Sequence, residues 1–335
     1  MAKIAINGLG RIGRAAFKIL HDLDGVEVAA VNDMVPAENL AYLLTHDTVY
    51  GGYEKPVTAA SDALVVDGHT VPLYSRRDPA ELPWRELGIG LVLECTGAVR
   101  REEELARHLA AGARFVIVSA PARTETTATV VYGVNVAPAG HQVISCASCT
   151  TNCITPVMEV LDRRIGVERA VMTTIHAYTS TQQLIDVPSK DFRRGRAGAT
   201  NMLPASTGAA RTTTKALPGL AGRFDGVAVR IPIPVGSIAD IVLVTARPTS
   251  PDEVNDLFRA EATTDRYRGI LGVSDEPIVS SDIIGDSRAA IVDAAMTRVV
   301  DGTLVKIMSW YDNEWGFTHQ MIRQALSMLG IPQPR

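Results

Sequence analysis

Cysteine is scarce in this chain, which has four cysteines among 335 residues. So few cysteines exclude a fold held together by disulfides, and we expect them to be free thiols in a reducing compartment. A long apolar run is also missing, so the sequence predicts no transmembrane helix and no membrane partner. The N-terminus, MAKIAINGLGRIGR, lacks the apolar core and the small-residue cleavage site of a secretory signal. We therefore expect a cytoplasmic location.

An excess of positive charge is equally absent. Lys and Arg total 33 against 37 Asp and Glu, which gives a net charge of −4. This balance argues against nucleic acid as a partner, and a small anionic substrate would need a local basic pocket. Internal repeats, low-complexity segments and flexible linkers are missing as well. The length predicts two domains, each large enough to bury a core of its own.

Residues 1–148 alternate short β-branched strands with helical patterns. The segments KIAIN, VEVAAVND, LVLECTG and FVIVSA predict strands, and IGRAAFKILHDL and REEELARHLAAGA predict helices. A hairpin is predicted at ALVVDGHTVPLYS. This alternation is typical of a parallel sheet covered by helices, and it predicts an α/β domain of the Rossmann type.

Residues 149–314 show a different pattern. A helix, NCITPVMEVLDRRIG, precedes a strand and a polar, Arg-rich loop from about Ser180 to Pro204. The later strands GVAVRIP, ADIVLVTA, AAIVDAAMTRVVDG and TLVKIMSWYD have no regular helix between every pair, which predicts an α+β catalytic domain with a mixed or antiparallel sheet. We expect residues 315–335 to form a C-terminal helix that joins the first domain.

A glycine-rich turn marks the predicted cofactor site. Gly8, Gly10 and Gly13 form the pattern G-x-G-x-x-G after the first strand and at the start of a helix. This spacing permits a tight turn, close approach of a pyrophosphate and close helix–strand packing, and the helix N-terminus supplies amide donors. Asp33 ends the second strand, where a carboxylate accepts hydrogen bonds from the ribose hydroxyls of a dinucleotide. The alternative is a glycine turn without a ligand.

The residues near the predicted ribose favour NAD over NADP. Asp33 repels the 2′-phosphate of NADP. Arg76 and Arg77, in YSRRDP, argue the other way because guanidinium groups near the ribose would accept such a phosphate. We give Asp33 more weight since the motif fixes its position.

Three of the cysteines lie within SCASCTTNC, and Cys149 is placed as a nucleophile. It lies where a strand turns into a helix, so we expect the helix N-terminus to stabilise the thiolate and lower the pKa. Cys153, one turn deeper, is expected to be buried and inert. A metal site lacks a fourth ligand, because Cys95 is expected in a core strand and no histidine has zinc-motif spacing. A redox pair between Cys149 and Cys146 or Cys153 stays open.

The leading candidate for a catalytic base is His176, in TTIHAYT near the end of a predicted strand. A single histidine at a strand end is more often structural than catalytic. An activated cysteine, however, needs a base to take its proton, and a nicotinamide cofactor indicates redox chemistry at that cysteine.

Ten segments carry a family resemblance, in a fixed order from about Ile4 to Trp315. They are NGLGRIGR, VND, ECTG, SCASCTTNC, TTIHAYT, KDFRRGRAG, STGAAR, VAVRIPIP, VSSD and SWYDNEWG. Together they resemble phosphorylating glyceraldehyde-3-phosphate dehydrogenase. The resemblance implies NAD-dependent conversion of D-glyceraldehyde 3-phosphate and inorganic phosphate to 1,3-bisphosphoglycerate. Cys149 would form a hemithioacetal and then a thioester, with His176 as its base.

The resemblance also implies the remaining site residues. Thr179 and Arg230 match the family's substrate-phosphate site. Its inorganic-phosphate site is matched by Ser148, Thr150, Arg194, Thr207 and Gly208. The expected cofactor contacts are Gly8, Gly10, Arg11, Ile12, Gly13, Asp33, Arg77, Ser119 and Asn313. Asn313 would hold the nicotinamide amide. Family members are homotetramers in which the loop around positions 180 to 200 packs at a subunit interface.

Several positions depart from the family pattern without removing a catalytic group. These are Cys146 (usually Asn), Ser180-Thr181 (usually Asn-Asp), Gly195 and Gly198 (usually an Ala-rich stretch) and Ser287-Arg288 (usually Pro-His). They leave open a specialised paralogue that is insensitive to electrophilic inhibitors. Two further hypotheses are erythrose-4-phosphate dehydrogenase and a non-enzymatic NAD-binding scaffold. Thr179 favours the triose enzyme over erythrose-4-phosphate dehydrogenase.

Overall fold

The computed structural model describes residues 1–333, and their contacts divide the chain into two units. Unit 1 contains residues 1–132, 136–147 and those from 321 onward, and unit 2 contains residues 133–135 and 148–320. The predicted domain borders, 148/149 and 314/315, stay predictions. Of the segment predicted as a C-terminal helix, residues 334–335 lie outside the described residues, and α8 spans Trp315–Leu329.

Unit 1 is built on a nine-stranded sheet with the order β3-β4-β5-β2-β1-β6-β7-β9-β8. The strands are β1 (Ala2–Asn7), β2 (Val26–Asn32), β3 (Val57–Ala60), β4 (Ala63–Val66), β5 (His69–Tyr74), β6 (Leu91–Glu94), β7 (Phe115–Val118), β8 (Ala128–Thr129) and β9 (Val143–Ser145). In this spatial order, the seven strands β5-β2-β1-β6-β7-β9-β8 are all parallel to their neighbours. The predicted Rossmann-type sheet is therefore confirmed.

Unit 1 contains the helices α1 (Arg11–His21), α2 (Ala37–Thr45), α3 (Trp84–Leu87) and α4 (Glu102–Ala110). Of these, α1 and α4 correspond to the two helices predicted in residues 1–148. The predicted hairpin is formed by β4 and β5, which are antiparallel and are joined by Asp67 and Gly68. Both turn residues have positive φ, 51° and 79°, as a two-residue turn that matches the twist of the strands requires.

Unit 2 contains an eight-stranded sheet with the order β11-β12-β10-β13-β17-β15-β14, and β16 pairs with β17. The strands are β10 (Val167–Ala177), β11 (Leu203–Ser206), β12 (Phe224–Ile231), β13 (Ser237–Thr245), β14 (Leu271–Ser274), β15 (Ala290–Asp293), β16 (Arg298–Val300) and β17 (Leu304–Tyr311). The helices are α5 (Cys149–Ile165), α6 (Ala209–Ala216) and α7 (Pro251–Ala262). Parallel and antiparallel pairings coexist, which confirms the predicted mixed sheet.

Three sequence predictions about elements are wrong in detail. Residues 289–302 form two strands, β15 and β16, separated by a helical turn over Ala294–Met296. Cys95 follows β6 instead of lying within it, and the Arg-rich loop ends before Pro204, because β11 begins at Leu203. The first error is a break inside a predicted strand, whereas the other two fall at element ends, where local sequence specifies boundaries weakly. Among the helices of residues 1–333, none is long and apolar enough to cross a membrane.

Candidate active site

Cys149 is the first residue of α5, where a sharp turn presents its side chain. Ser148 caps the helix, since its Oγ accepts a hydrogen bond from the amide of Thr151 at 3.1 Å. Ala147, which enters the turn, is fully buried and has a φ of 62°. A left-handed backbone costs a residue with a Cβ about 1–2 kcal/mol, so the surrounding structure imposes this turn.

His176 faces the thiol from the end of β10. The Sγ of Cys149 lies 3.3 Å from Nε2 of His176. Nδ1 of His176 lies 2.7 Å from the carbonyl oxygen of Ala177. In the tautomer with the proton on Nδ1, this nitrogen donates to that oxygen and the lone pair of Nε2 points at the thiol, as a base that accepts the thiol proton requires.

Arg230 completes the group from β12, where it is the register partner of His176. Its Nη1 donates to the carbonyl oxygen of Ala177 at 3.0 Å and lies 2.5 Å from Nδ1 of His176. Nε of Arg230 is buried and has no hydrogen-bond partner among residues 1–333. A buried guanidinium N–H without a partner is suited to donate a hydrogen bond to an anionic group of a ligand.

The surroundings of the pair set its protonation. Burial, assisted by the charge of Arg230, lowers the pKa of His176 to about 3, which keeps the imidazole neutral. Burial also raises the pKa of the Cys149 thiol, although Arg230 and the Thr150 amide and hydroxyl oppose this rise. The prediction that the helix N-terminus lowers the pKa of this thiol is therefore wrong, because burial raises the pKa more than the helix N-terminus lowers it.

A buried chain of hydroxyl groups lies behind the thiol. Thr150 Oγ1 is 2.9 Å from the hydroxyl of Tyr311, which is 2.8 Å from Thr174 Oγ1. The ring of Tyr311 meets the ring of His176 edge to face, with centroids 5.9 Å apart. Sequence reasoning missed Tyr311, although its position at the end of an apolar strand in SWYDNEWG is a signal for a buried, hydrogen-bonded tyrosine.

The other cysteines are buried to different degrees and are all free thiols. Cys153 is fully buried, as predicted, with Sγ 3.4 Å from Ser309 Oγ and a pKa raised by burial to about 12. Cys146 is 3% exposed, and burial raises the pKa of its thiol further. Across residues 1–333, no group of three or more His, Cys, Asp or Glu side chains is placed to hold a metal ion.

Arg194 lies near Arg230 and next to a pair of threonine hydroxyl groups. Burial is the main cause that lowers the pKa of Arg230, and the nearby charge of Arg194 adds to it. Nη1 of Arg194 approaches Thr181 Oγ1 at 3.5 Å, and this oxygen is 2.9 Å from Thr179 Oγ1. Predicted phosphate residues from three separate segments are therefore neighbours in unit 2.

The remaining predicted phosphate residues have partners within the protein. The hydroxyl of Ser148 caps α5, and that of Thr150 bonds to Tyr311. Thr207 Oγ1 accepts from the amide of Ala209 at 3.2 Å at the start of α6. A Cβ on Gly208 would meet no atom within 4 Å, so the space beside it is open. Phosphate binding by all four residues stays a prediction.

Unit 1 has a separate cavity of about 420 Å³ at the carboxyl ends of β1, β2 and β6. It is lined by residues that include Asn7, Gly8, Gly10, Asp33, Arg77 and Thr96. Ligands of doubly wound sheets bind at this edge. The cavity therefore contains the predicted glycine turn, the predicted ribose carboxylate and both arginines, Arg76 and Arg77.

The three glycines of the turn fit a pyrophosphate for separate reasons. Gly8 has a φ of 92°, and a Cβ there would lie 2.7 Å from the amide nitrogen of Thr96. A Cβ on Gly13 would lie 1.9 Å from the carbonyl oxygen of Gly8, so close packing of α1 requires glycine. A Cβ on Gly10 would meet nothing within 4 Å, and α1 has no side-chain cap. The space before the helix N-terminus is thus open to an anion.

The other predicted cofactor residues have varied surroundings. Asp33 accepts from the Leu9 amide at 2.7 Å and from the Val35 amide at 3.0 Å. Arg11 forms an ion pair with Asp47 at 2.6 Å. Ile12 is half-buried, Arg77 is exposed, and the Ser119 amide donates to the Glu94 carbonyl oxygen at 3.0 Å. In unit 2, the buried Asn313 accepts from the amide of Gly236 and the hydroxyl of Ser237. Their contacts with a cofactor stay predictions.

A parallel sheet with a dinucleotide turn, together with a cysteine and a histidine in hydrogen-bond contact, defines the class of NAD-dependent oxidoreductases that act on aldehydes. Residues 2–102 match a family profile described as the NAD binding domain of glyceraldehyde 3-phosphate dehydrogenase, and residues 148–313 match the C-terminal domain. The chain therefore belongs to the glyceraldehyde 3-phosphate dehydrogenase family. The predicted family, enzyme class and NAD cofactor are confirmed.

Relatives in several bacteria agree over nearly the whole chain. Glyceraldehyde-3-phosphate dehydrogenase 2 of Streptomyces avermitilis is 45% identical over 324 residues, which cover 96% of each protein. The glyceraldehyde-3-phosphate dehydrogenase of Zymomonas mobilis is 43% identical over 330 residues, 97% of this chain and 98% of the relative. Glyceraldehyde-3-phosphate dehydrogenase 1 of Bacillus subtilis is 44% identical over 326 residues, 96% and 97% of the two chains.

Proposed function

We propose that this protein converts D-glyceraldehyde 3-phosphate, NAD and inorganic phosphate to 1,3-bisphosphoglycerate and NADH. The observation that carries the proposal is the thiol of Cys149, 3.3 Å from a neutral His176 nitrogen and close to the guanidinium of Arg230. This arrangement provides a nucleophile, a base and a cation for an anionic substrate. The names of the bacterial relatives support the same substrate.

The first half of the reaction forms a hemithioacetal on Cys149. Nε2 of His176 takes the thiol proton while sulfur adds to the aldehyde carbon, and the proton then passes to the carbonyl oxygen. His176 next removes the hydroxyl proton as the carbon loses hydride, which leaves a thioester on Cys149. When NAD is bound, its nicotinamide ring is the hydride acceptor.

The second half of the reaction cleaves the thioester. Inorganic phosphate attacks the thioester carbon and the carbon–sulfur bond breaks, which releases the acyl phosphate. The sulfur departs as a thiolate and takes the proton that His176 holds. Arg230, with its unpartnered Nε, and Thr179 are proposed to hold the phosphate of the aldehyde substrate. The attacking phosphate is assigned to Arg194, Thr207, Gly208, Ser148 and Thr150. Two phosphates explain why Arg194 lies near Arg230 although the two positive charges repel each other.

The proposed NAD contacts are those of the cavity in unit 1 together with Asn313. Asp33 on the cavity favours NAD, and the exposed Arg77 beside it is the feature that would admit NADP. Asn313 is proposed to fix the nicotinamide amide, since its Nδ2 makes no hydrogen bond within residues 1–333.

A homotetramer in the cytoplasm is proposed as the working form. The loop that the family packs at a subunit interface carries exposed apolar side chains, with Leu184 at 85% and Phe192 at 87% exposure. Apolar side chains this exposed are typical of a surface that another subunit covers. The four free thiols are consistent with a reducing compartment.

The test is NADH formation by the purified protein from glyceraldehyde 3-phosphate and NAD, with and without phosphate. We expect sustained turnover with phosphate and a single burst of NADH without it, because the thioester then has no acceptor. Parallel arms replace NAD by NADP and the triose phosphate by erythrose 4-phosphate, and we expect a lower kcat/KM in each. A higher kcat/KM with erythrose 4-phosphate would reassign the substrate. Absence of NADH in every arm would point to a scaffold protein.

A further inference from the structure

A buried chain of hydrogen bonds lies behind the cofactor cavity of unit 1. It runs from α3 and α4 to the carboxyl ends of β6, β1 and β2, through Trp84, His108, Glu94, Asn7 and Asn32. Each of these five side chains is at most 5% exposed. Buried polar groups of this kind are stable only when every member is satisfied. We call these residues the Glu94 chain.

Every link in the Glu94 chain has a fixed direction. Nε1 of Trp84 can only donate, so Nδ1 of His108 accepts at 3.0 Å and the imidazole hydrogen is on Nε2. Nε2 then donates to Glu94 Oε2 at 3.2 Å. Nδ2 of Asn7 donates to the same oxygen at 2.5 Å, and its Oδ1 accepts from Asn32 at 2.6 Å. The tautomer of the histidine and the orientations of both amides are therefore determined.

The second oxygen of Glu94 reaches the opposite wall of the cavity. Oε1 accepts from the amide of Thr96 at 2.8 Å and from the Thr96 hydroxyl. Thr96 packs against the glycine turn so closely that a Cβ on Gly8 would lie 2.7 Å from its nitrogen. One buried carboxylate thus joins Asn7, which precedes the turn, to Thr96, which faces it.

The Glu94 chain also extends to the arginine segment of the cavity. Oδ1 of Asn32 accepts from the amide of Arg76 at 2.9 Å, and Nδ2 donates to the Arg76 carbonyl oxygen at 3.0 Å. Asn7, Asn32, Arg76 and Thr96 all line the cavity. The chain therefore connects three segments that surround the proposed adenosine site.

We propose that Glu94, held by His108 and Trp84, is a positioning residue for NAD. It sets the spacing between the glycine turn and Thr96, and so determines the affinity for the adenosine and pyrophosphate groups. Glu94 acts through Asn7 and Thr96, because its own side chain is fully buried. The inference deepens the proposed cofactor site and rests on it.

The primary test is Glu94→Gln, which keeps the size of the side chain. An amide presents one NH₂ group, and that group must face either the Thr96 donors or the donors of Asn7 and His108. One set of hydrogen bonds to a charged acceptor is then lost in either orientation. We expect the Kd for NAD, measured by titration calorimetry, to rise about tenfold or more, with kcat at saturating NAD close to wild type.

The matched control is Glu159→Gln in unit 2. Glu159 is 8% exposed and accepts hydrogen bonds from Arg163, Arg266 and Tyr267, so this change also disturbs a buried carboxylate. We expect it to lower the unfolding temperature without changing the Kd for NAD. A wild-type Kd for Glu94→Gln, with a fall in unfolding temperature like that of the control, would overturn the proposal.

A second pair of variants keeps the test decisive if Glu94→Gln does not fold. His108→Gln can still donate to Glu94 and accept from Trp84, whereas His108→Leu can do neither. We expect the Kd for NAD to rise in His108→Leu and to return towards wild type in His108→Gln. Equal Kd values in both variants would contradict the proposal. Failure of the wild-type protein to bind NAD would instead remove the cofactor site on which the proposal rests.

Discussion

At the scale of single residues, three side chains from three segments form the proposed catalytic group. Cys149 starts a helix, and His176 and Arg230 are register partners on neighbouring strands. The sequence predicts each of them, but it does not predict their protonation. Burial dominates, so the free chain has a protonated thiol beside a neutral imidazole with a pKa of about 3. The enzyme therefore needs the base as much as the nucleophile.

A change of Arg230 tests this electrostatic arrangement. The positive charge lowers the pKa of the Cys149 thiol and that of His176, so Arg230→Met should raise both. We expect the pH midpoint for alkylation of Cys149 by iodoacetamide to move to higher pH. Loss of the substrate-phosphate contact should also reduce kcat/KM by about tenfold to a hundredfold.

The control for this change is Arg247→Met. Arg247 is also in an ion pair, with Glu253 at 2.6 Å on the surface, so its loss removes a charge away from the thiol. Its alkylation profile should match the wild type. An unchanged or lower midpoint in Arg230→Met would show that this arginine does not set the charge state of the pair.

At the scale of elements, turns and strand ends place the functional groups. The glycine turn between β1 and α1 and the Ser148 cap of α5 are both local features, and the sequence places each helix start within a few residues of the observed one. The neighbours across the sheets could not be predicted in the same way. Tyr311 behind Thr150 and His108 behind Glu94 depend on pairings between distant segments, and no local pattern encodes these pairings.

Ser148 has two roles to separate, as a helix cap and as a predicted phosphate ligand. Ser148→Ala should destabilise the fold by about 1 kcal/mol, because the Thr151 amide loses its acceptor. If Ser148 also binds inorganic phosphate, the KM for phosphate should rise in the same variant. Thermal unfolding and steady-state kinetics measure the two effects.

Ser250→Ala provides the comparison, since Ser250 caps α7 in the same manner and accepts from the Glu253 amide at 3.2 Å. We expect a similar loss of stability and no change in the KM for phosphate. An unchanged KM for phosphate in Ser148→Ala as well would restrict Ser148 to its capping role.

At the scale of the whole molecule, sequence patterns predict the fold class well. The spacing of apolar residues indicates the parallel strands of unit 1 and the mixed sheet of unit 2, because burial on one or both faces of a strand requires apolar residues at regular positions. Contacts between subunits produce a weaker pattern in the sequence. The loop from Ser180 to Met202 reads as polar, yet it exposes Leu184, Ile185, Phe192 and Met202.

Phe192→Asp tests the proposed role of this loop in assembly. Burial of a phenylalanine contributes about 1.5–3 kcal/mol per copy, so a charge there should weaken the tetramer at least about tenfold. Light scattering after size-exclusion chromatography should show smaller species at low protein concentration. Val136→Asp, at a position that is also 86% exposed, should leave the assembly unchanged. Identical masses for both variants would exclude this loop from the interface.

The most direct test of the central claim is to map the acyl group after one turnover. The protein is mixed with NAD and glyceraldehyde 3-phosphate in the absence of phosphate, digested under acidic conditions and examined by tandem mass spectrometry. We expect a 3-phosphoglyceroyl thioester on Cys149, none in Cys149→Ser, and an unchanged adduct in Cys146→Ser. An adduct on Cys146, or NADH formation by Cys149→Ser, would contradict the assignment of the nucleophile.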